Sequence, residues 1–374
     1  MQTSQIVVGL GFGDEGKGKT VDYLSKKYKN SIVVRFNGGQ QAGHTVTTDK
    51  IHHVFSNYGS GTLNGCPTYF SEHTSIYLYT LYNETQKLNG YPIYPLLLYI
   101  HPLTKLTTPY DVAYNRVIEK LNNHGSCGLG IASTIKRHNE ANYKLYAIDL
   151  INPDIFKEKL NNIKLYYTKL IKLNKEINEY EFHQEYHLIE DIFIELSKKW
   201  NTLFQIKNYD YLNQYKNIIF EGAQGILLDM DHGIFPNVTY SNTTCKNAVE
   251  ICNKLNIFPD IYYITRCYQT RHGNGWMSNI KSFPIKNNKF ETNVYNKWQL
   301  NFKIGELDYN LLNYSLEIDK LYYNEINNKY LVINCLDQRE YFEFDYTSIN
   351  NINEFRILES FTPKSEFKEK KKVF

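Results

Sequence analysis

Residues Gly13 to Thr20 read Gly-Asp-Glu-Gly-Lys-Gly-Lys-Thr and follow the apolar run Gln5 to Leu10. A β-branched run that stops at glycines and opens onto a helix-compatible stretch commits the chain to begin as strand, tight turn and helix, the unit from which open α/β sheets are built. The turn satisfies two patterns at once. Gly13, Gly18, Lys19 and Thr20 fit G-x-x-x-x-G-K-[ST], while Gly11, Gly13 and Gly16 fit G-x-G-x-x-G. The dinucleotide pattern needs an acid roughly 20 positions on, at the end of the second strand; that strand, Ser31 to Phe36, runs into Asn37. The phosphate-binding pattern suits the lysines, but Asp14 and Glu15 would then face like charge unless a metal or a proton transfer occupied them. At least one carboxylate therefore has a chemical task. The alternative is a structural turn whose solvated acids favour the helix N-terminus.

Further along, strand-like runs end repeatedly in glycine-rich turns. Ser4 to Leu10 is the first strand, Lys17 to Lys27 the helix after the loop, and Ser31 to Phe36 the second strand, followed by Asn37-Gly38-Gly39-Gln40-Gln41-Ala42-Gly43-His44-Thr45. Tyr77 to Lys87 and Thr108 to Leu121 have helical spacing, and Pro153 to Lys199 alternates charged and apolar residues at helical periods, which predicts a largely solvent-facing helical excursion. Asn217 to Phe220, Ile261 to Arg266 and Asn328 to Leu336 read as strands, the first two leading into glycine-rich turns. This predicts an α/β fold with a central, largely parallel sheet, flanking helices and a site at the strand ends. The charge run Lys364 to Lys372 reads as a frayed, solvated tail.

A chain of 374 residues with a net charge of +3 is too mildly basic to point to nucleic acid or a membrane surface, but suits phosphorylated small molecules. Its six cysteines show no C-x-x-C spacing, which predicts a reduced, cytoplasmic setting without zinc or disulfides. The longest apolar stretch, Tyr91 to Ile100, contains two prolines and is too short to span a membrane. Within the turns, Asp14 and His44 can act as base and acid on one substrate while nearby amides hold phosphate.

The block Gly13 to Lys19 together with Ala42-Gly43-His44-Thr45 resembles adenylosuccinate synthetase. So do Phe220-Glu221-Gly222-Ala223-Gln224-Gly225, Leu227-Leu228-Asp229, Asp231-His232-Gly233 and Ser241-Asn242-Thr243-Thr244, in the family's order. The resemblance implies one domain of that fold over residues 1–374, with the helical excursion at 153–215 and a diverged C-terminal part from 276. It implies a C–N ligase of purine biosynthesis: a nucleoside triphosphate, normally GTP, phosphorylates the 6-oxygen of IMP, and the L-aspartate amine displaces that phosphate. Asp14 would take the purine N1 proton and, with the Gly43 carbonyl, hold Mg²⁺; His44 would be the acid, Lys17 would contact the phosphoryl in transit, and Gln224 would hold the purine. The monophosphate site would comprise Asp14, Glu15, Gly16, Lys17, Gln41, Ala42, Gly43, His44, Ser126, Cys127, Gln224 and Thr239. The triphosphate would meet Gly13, Gly16, Lys17, Gly18, Lys19, Thr20, Gly43, His44, Thr45, Asp337 and Ser360. The family also implies a cytoplasmic homodimer, with Lys136 or Arg137 as candidates to reach a partner's nucleotide, or else part of an ordinary solvated helix face. Asp229, Asp231 and His232 read as a structural turn rather than a metal site.

Several positions depart from the pattern. Gln41 stands where the family has Asn, and Cys127 where it has Thr; a thiol is a weak donor. The arginine cluster expected to grip aspartate is absent from Thr292 to Lys303, leaving Arg271, Thr292, Lys297 and Lys303 as candidates for the amine donor. Asn334-Cys335-Leu336-Asp337 keeps only the guanine-reading carboxylate, so the donor is GTP or ATP. Such departures also suit virus-encoded relatives that act on dGMP, and an amine other than aspartate remains an alternative. The reading outside enzymology is a nucleotide-binding protein without turnover; the retained Asp14, Lys17, His44 and Gln224 speak against it.

Overall fold

A computed structural model of the protein describes residues 2–93, 95–122, 125–283, 302–338, 340 and 343–371. Among these, ten strands form one sheet. From edge to edge they are Lys368–Lys370, Phe355–Glu359, Lys329–Asn334, Pro259–Arg266, Thr3–Gly9, Asn217–Gly225, Ser31–Arg35, Thr68–Phe70, Leu98–Ile100 and Gln205–Ile206. Neighbours are parallel except at the Lys368–Lys370 edge, which is antiparallel. The described helices are α1 Lys17–Lys27, α2 Leu78–Leu88, α3 Pro109–Asn122, α4 Ile131–Asn139, α5 Pro153–Leu173, α6 Glu179–Lys198, α7 Lys246–Leu255 and α8 Tyr309–Lys320.

The chain first builds outward from Ser31–Arg35 to Gln205–Ile206, then returns to insert Asn217–Gly225 beside the first strand and builds outward on the other side. This reversal leaves a crevice beyond the C-terminal ends of the central strands. The strands are continuous apolar runs because both faces are covered. Ile6, Val8, Ile218, Phe220, Ile261 and Tyr263 pack with α7 and α8, while Val7, Val33, Ile219 and Ile264 pack on the opposite face with Val21 and Leu24 of α1.

The region from residue 153 is the expected helical excursion, and most of its side chains face solvent. Asn152 and Asn178 cap α5 and α6 through their side chains. One stripe of each helix is buried, Phe156, Leu160, Ile163, Tyr167 and Ile171 on α5 and Phe182, Tyr186 and Phe193 on α6. These residues share a second core with Leu78 and Leu81 of α2 and with Tyr110, Ala113 and Val117 of α3. Periodicity revealed the helices; the width of the apolar stripe, about 100° of the helix surface, is enough to bury one side of each. The basic tail is more ordered than expected. Phe367 meets Tyr23 edge-on with ring centroids 5.0 Å apart, and Lys368–Lys370 adds the antiparallel edge strand.

One buried acid makes this scaffold pH-sensitive. Asp319, at the end of α8, accepts the Cys245 N–H at 2.6 Å through Oδ1, whereas Oδ2 is buried without a partner. Burial pushes its carboxyl up from 3.8 to about 6. The folded state therefore holds this proton to higher pH than the unfolded chain, and its contribution to stability falls as pH rises from 4 to 7. Two pKa units correspond to about 3 kcal/mol. Asp319→Asn is expected to flatten this part of the profile, measured by urea unfolding at pH 5 and pH 7; an unchanged slope would refute the assignment.

Candidate active site

The turn after the first strand divides its two acids. Gly13 and Gly16 adopt φ of 98° and 97°, and Asp14 a left-handed φ of 62°. Glu15 turns inward: its Oε1 accepts the N–H groups of Gly11 at 3.0 Å and Gly13 at 2.8 Å, and its Oε2 pairs with Lys17 Nζ at 2.5 Å. Glu15 thus closes the loop and balances Lys17. Gly225 makes room for this carboxylate, since a Cβ there would lie 2.4 Å from Glu15 Oε1. The start of α1, with Gly16 as N-cap, has no side-chain cap. Its first amides are the kind of uncapped donors that bind phosphate.

Asp14 is the acid that stays part-exposed. Its Oδ2 lies 3.3 Å from His272 Nε2, and its main-chain carbonyl accepts from Arg266 Nε at 2.5 Å. Burial raises the carboxyl, but the His272 hydrogen bond and charge, with Arg266 and Lys17, outweigh it and hold the group below its ordinary value. Asp14 is therefore ionised at neutral pH. The sequence assigns no role to His272 or Arg266; the signal was that both lie where the Pro259–Arg266 strand runs out into a glycine-rich turn.

On the facing turn, His44 opens the hairpin His44–Thr47 with His52–Phe55. Its Nδ1 lies 2.6 Å from Glu221 Oε1. Burial lowers the imidazole, and the Glu221 charge only partly offsets this, so its net shift is downward. Gly18 permits the close approach of α1, because a Cβ there would sit 2.8 Å from the His44 Cβ.

These elements enclose a cleft of about 690 Å³. Gly13, Asp14, Glu15, Gly16, Lys17, Gly18 and Lys19 line it, as do Gln41, Ala42, Gly43, His44 and Thr45. Ser126, Cys127, Gln224, Thr239, Arg271 and Asp337 complete the set of sequence-selected residues on its walls. Gln41 Nε2 and Oε1 and Gln224 Oε1 are buried without hydrogen-bond partners. Buried amides in this state are costly, and a polar ligand would satisfy them. Asp14 and Gly43 share the cleft, and a carboxylate with a backbone carbonyl is a hard-oxygen set of the kind Mg²⁺ takes alongside substrate phosphates.

Thr20 and Ser360 lie behind the walls. Thr20 is buried, with Oγ1 3.4 Å from the Gly16 carbonyl. Lys19 Nζ donates to Ser360 Oγ and the Thr362 carbonyl, and burial lowers its ammonium to about 8. Burial pushes the Cys127 thiol up to about 11, so it is protonated at neutral pH. Arg271 lies 4.4 Å from the Phe12 ring centroid and donates to the carbonyls of Trp276 and Asn237. Lys303, its register partner in the hairpin Tyr268–His272 with Phe302–Glu306, donates to the Gly275 carbonyl at 2.6 Å. Both cations thus pin the cleft rim. Thr292 and Lys297 lie outside the described residues.

Two further expectations meet the structure differently. Asp229 accepts from the amides of Asp231, His232, Thr243 and Thr244, which is the structural turn expected there. Arg137, by contrast, is a correction: it is fully buried and its Nε and Nη2 bind both oxygens of Asp111, so it cannot reach a partner. Lys136 remains exposed, with Nζ 5.0 Å from the Tyr240 ring centroid.

The family described as adenylosuccinate synthetase matches residues 6–338. An adenylosuccinate synthetase from Chlorobium phaeobacteroides is 34% identical over 291 residues, 74% of this chain and 64% of that protein. One from Clostridium botulinum strain Alaska E43 is 34% identical over 287 residues, 72% and 64% of the two chains. The chain thus spans 64% of the length of these curated relatives. In fold it is similar to the fully ligated adenylosuccinate synthetase of Plasmodium falciparum, with a TM-score of 0.63 at 23% identity over 89% of this chain and 77% of that one. It is equally similar to the succinoaminodeoxyadenylate synthetase of cyanophage S-2L, solved with dGMP and dATP as an energy donor: TM-score 0.64, 15% identity, 98% of this chain and 94% of that one. With the phosphate-loop acid, the facing histidine and the matched sequence blocks on one α/β sheet, the chain belongs to the adenylosuccinate synthetase family.

Proposed function

We propose that the protein is a C–N ligase that uses a nucleoside triphosphate to activate the 6-oxygen of a purine monophosphate and then installs L-aspartate there. With IMP the product is adenylosuccinate. The observation that carries this reading is the separation of the two loop acids. Glu15 is committed to the loop, while Asp14 stays ionised in the cleft opposite His44. A phosphate-binding turn that keeps an ionised carboxylate in the cleft has a base where phosphate transfer alone needs none.

Asp14 takes the N1 proton, so that O6 attacks the γ-phosphorus as the bond to the β-phosphate's bridging oxygen breaks and the diphosphate leaves. The amides at the start of α1 and the ammonium of Lys17 meet the charge of the moving phosphoryl. His44 stands across the cleft as the donor to that charge, and the Gln41 and Gln224 amides take the purine's polar edge. The aspartate amine then attacks C6 and phosphate departs. Mg²⁺ held by Asp14 and Gly43 would neutralise phosphate charge. A cytoplasmic homodimer is part of the same reading; among the described residues no helix is long and apolar enough to cross a membrane. GTP is favoured as donor because Asp337 lines the cleft as an acceptor for guanine N–H groups.

The second reading replaces IMP by dGMP. It draws on the cyanophage enzyme, 94% of which is covered in the fold comparison against 77% of the Plasmodium falciparum adenylosuccinate synthetase. Both acceptors carry an N1 proton, so Asp14 serves either. Incubation with IMP or dGMP, GTP or ATP, and aspartate, followed by mass analysis, is expected to give a succino-purine nucleotide and phosphate from one acceptor. Phosphate release that never depends on a purine monophosphate would overturn both readings.

A further inference from the structure

Glu221 is a carboxylate in an improbable place. It lies in the interior strand Asn217–Gly225, in register with Val7 on one side and Arg35 on the other, and is 0% exposed. A charge buried there is destabilising unless several groups hold it. Four do. His44 Nδ1 lies at 2.6 Å from Oε1, the Ser60 hydroxyl donates to the same oxygen, and the Ser60 N–H donates to Oε2 at 3.1 Å. The Arg35 guanidinium, equally buried, is the neighbouring positive charge. Burial raises this carboxyl, but the charge and hydrogen bond of His44, with Arg35 and Ser60, outweigh it and hold the group well below its ordinary value.

Such an anion accepts hydrogen bonds only. It requires an N–H on the nitrogen facing it, which is Nδ1. Turning the ring over would put a C–H against Glu221 and lose the bond. We propose that Glu221 is the positioning residue of the active site: it holds an N–H of His44 on Nδ1 and so turns Nε2 toward the phosphates in the cleft, where an N–H on Nε2 is the donor. Ser60 braces Glu221, and Gly18 holds α1 flush against both His44 and Ser60, with a would-be Cβ 2.9 Å from Ser60 Oγ. Phosphate-loop helix, facing turn and central strand thereby act as one unit, although His44 and Glu221 are 177 positions apart.

The kinetic consequence rests on the ligase reading; the placement of the proton does not. The test is the ¹⁵N spectrum of histidine-labelled full-length protein, with the His44 signal assigned from His44→Gln. The expected pattern is a proton held on Nδ1; a wild-type His44 protonated on Nε2 alone overturns the proposal without any Glu221 variant. In Glu221→Gln the Nδ1–H preference is expected to be lost. Its kcat should fall about 100-fold while KM for both nucleotides stays within about threefold, and Glu221→Asp, which keeps the anion, should recover part of the loss. A Glu221→Gln protein with wild-type kcat and an unchanged His44 signature also overturns it. If no substrate combination is turned over, the ligase reading fails, and the wild-type spectrum still decides the placement of the proton.

Discussion

Asp14→Asn is expected to abolish turnover, lowering kcat by at least about 10³-fold, while both nucleotides bind within about tenfold of the wild-type affinity. The structure makes this substitution unusually clean. Asp14 adopts a φ of 62°, a left-handed conformation that Asn tolerates better than other residues, so the turn keeps its shape. Arg266 is bound to the main-chain carbonyl of residue 14, which the substitution leaves in place. The side-chain oxygen of Asn can still accept from His272. What disappears is the charge that accepts a proton, and with it the base. Stopped-flow phosphate release and calorimetric nucleotide binding measure the two quantities separately. Near-normal turnover would remove Asp14 from the chemistry, and a parallel loss of binding would make it a phosphate-site or metal-site residue only.

The contrast between Asp14 and Glu15 shows where sequence is sufficient. The helix predicted over Lys17–Lys27 has those limits in the structure, because a glycine turn before it and a lysine-rich last turn mark both ends locally. The charge of the loop also gave the expectation that one of its two adjacent acids has a chemical task. Which of them folds inward did not follow from it, since this depends on Gly9 and Gly225 leaving space on two different strands. His44 was legible from its glycine turn, but Glu221 as its partner was not, because the contact exists only once Asn217–Gly225 lies beside Ser31–Arg35. The same holds beyond residue 276, where similarity in the motifs thins. Lys329–Asn334 and Phe355–Glu359 nevertheless extend the parallel sheet, since apolar runs able to be covered on both faces suffice for strands there. The amine-donor loop is the part that motif reasoning left most open. Two of the cations named as candidates for it, Arg271 and Lys303, bind backbone carbonyls of the rim.

Arg137→Met is expected to cost about 3–5 kcal/mol of stability. Arg137 and Asp111 are both 0% exposed, and the guanidinium also donates to the Leu106 and Tyr143 carbonyls. Asp111 keeps only the Thr108 N–H and hydroxyl and the Tyr167 hydroxyl when the guanidinium is gone, which leaves an anion buried without a cation. Asp111→Asn combined with Arg137→Met should recover much of the loss, because the uncompensated charge is then absent. Lysine is a poor substitute, since one ammonium cannot reproduce the fork that meets both carboxylate oxygens and two carbonyls. Urea unfolding measures the loss, and a change below about 1 kcal/mol would refute the structural role. An arginine that instead reached across a dimer would, when replaced, weaken association and spare the fold, which sedimentation at several concentrations separates from unfolding. The pair ties α3 to α4, and the connection between those helices carries Ser126 and Cys127 into the cleft. A milder variant of the pair should therefore raise KM for the monophosphate before it affects kcat, because the wall that holds the substrate loosens while Asp14 and His44 keep their places.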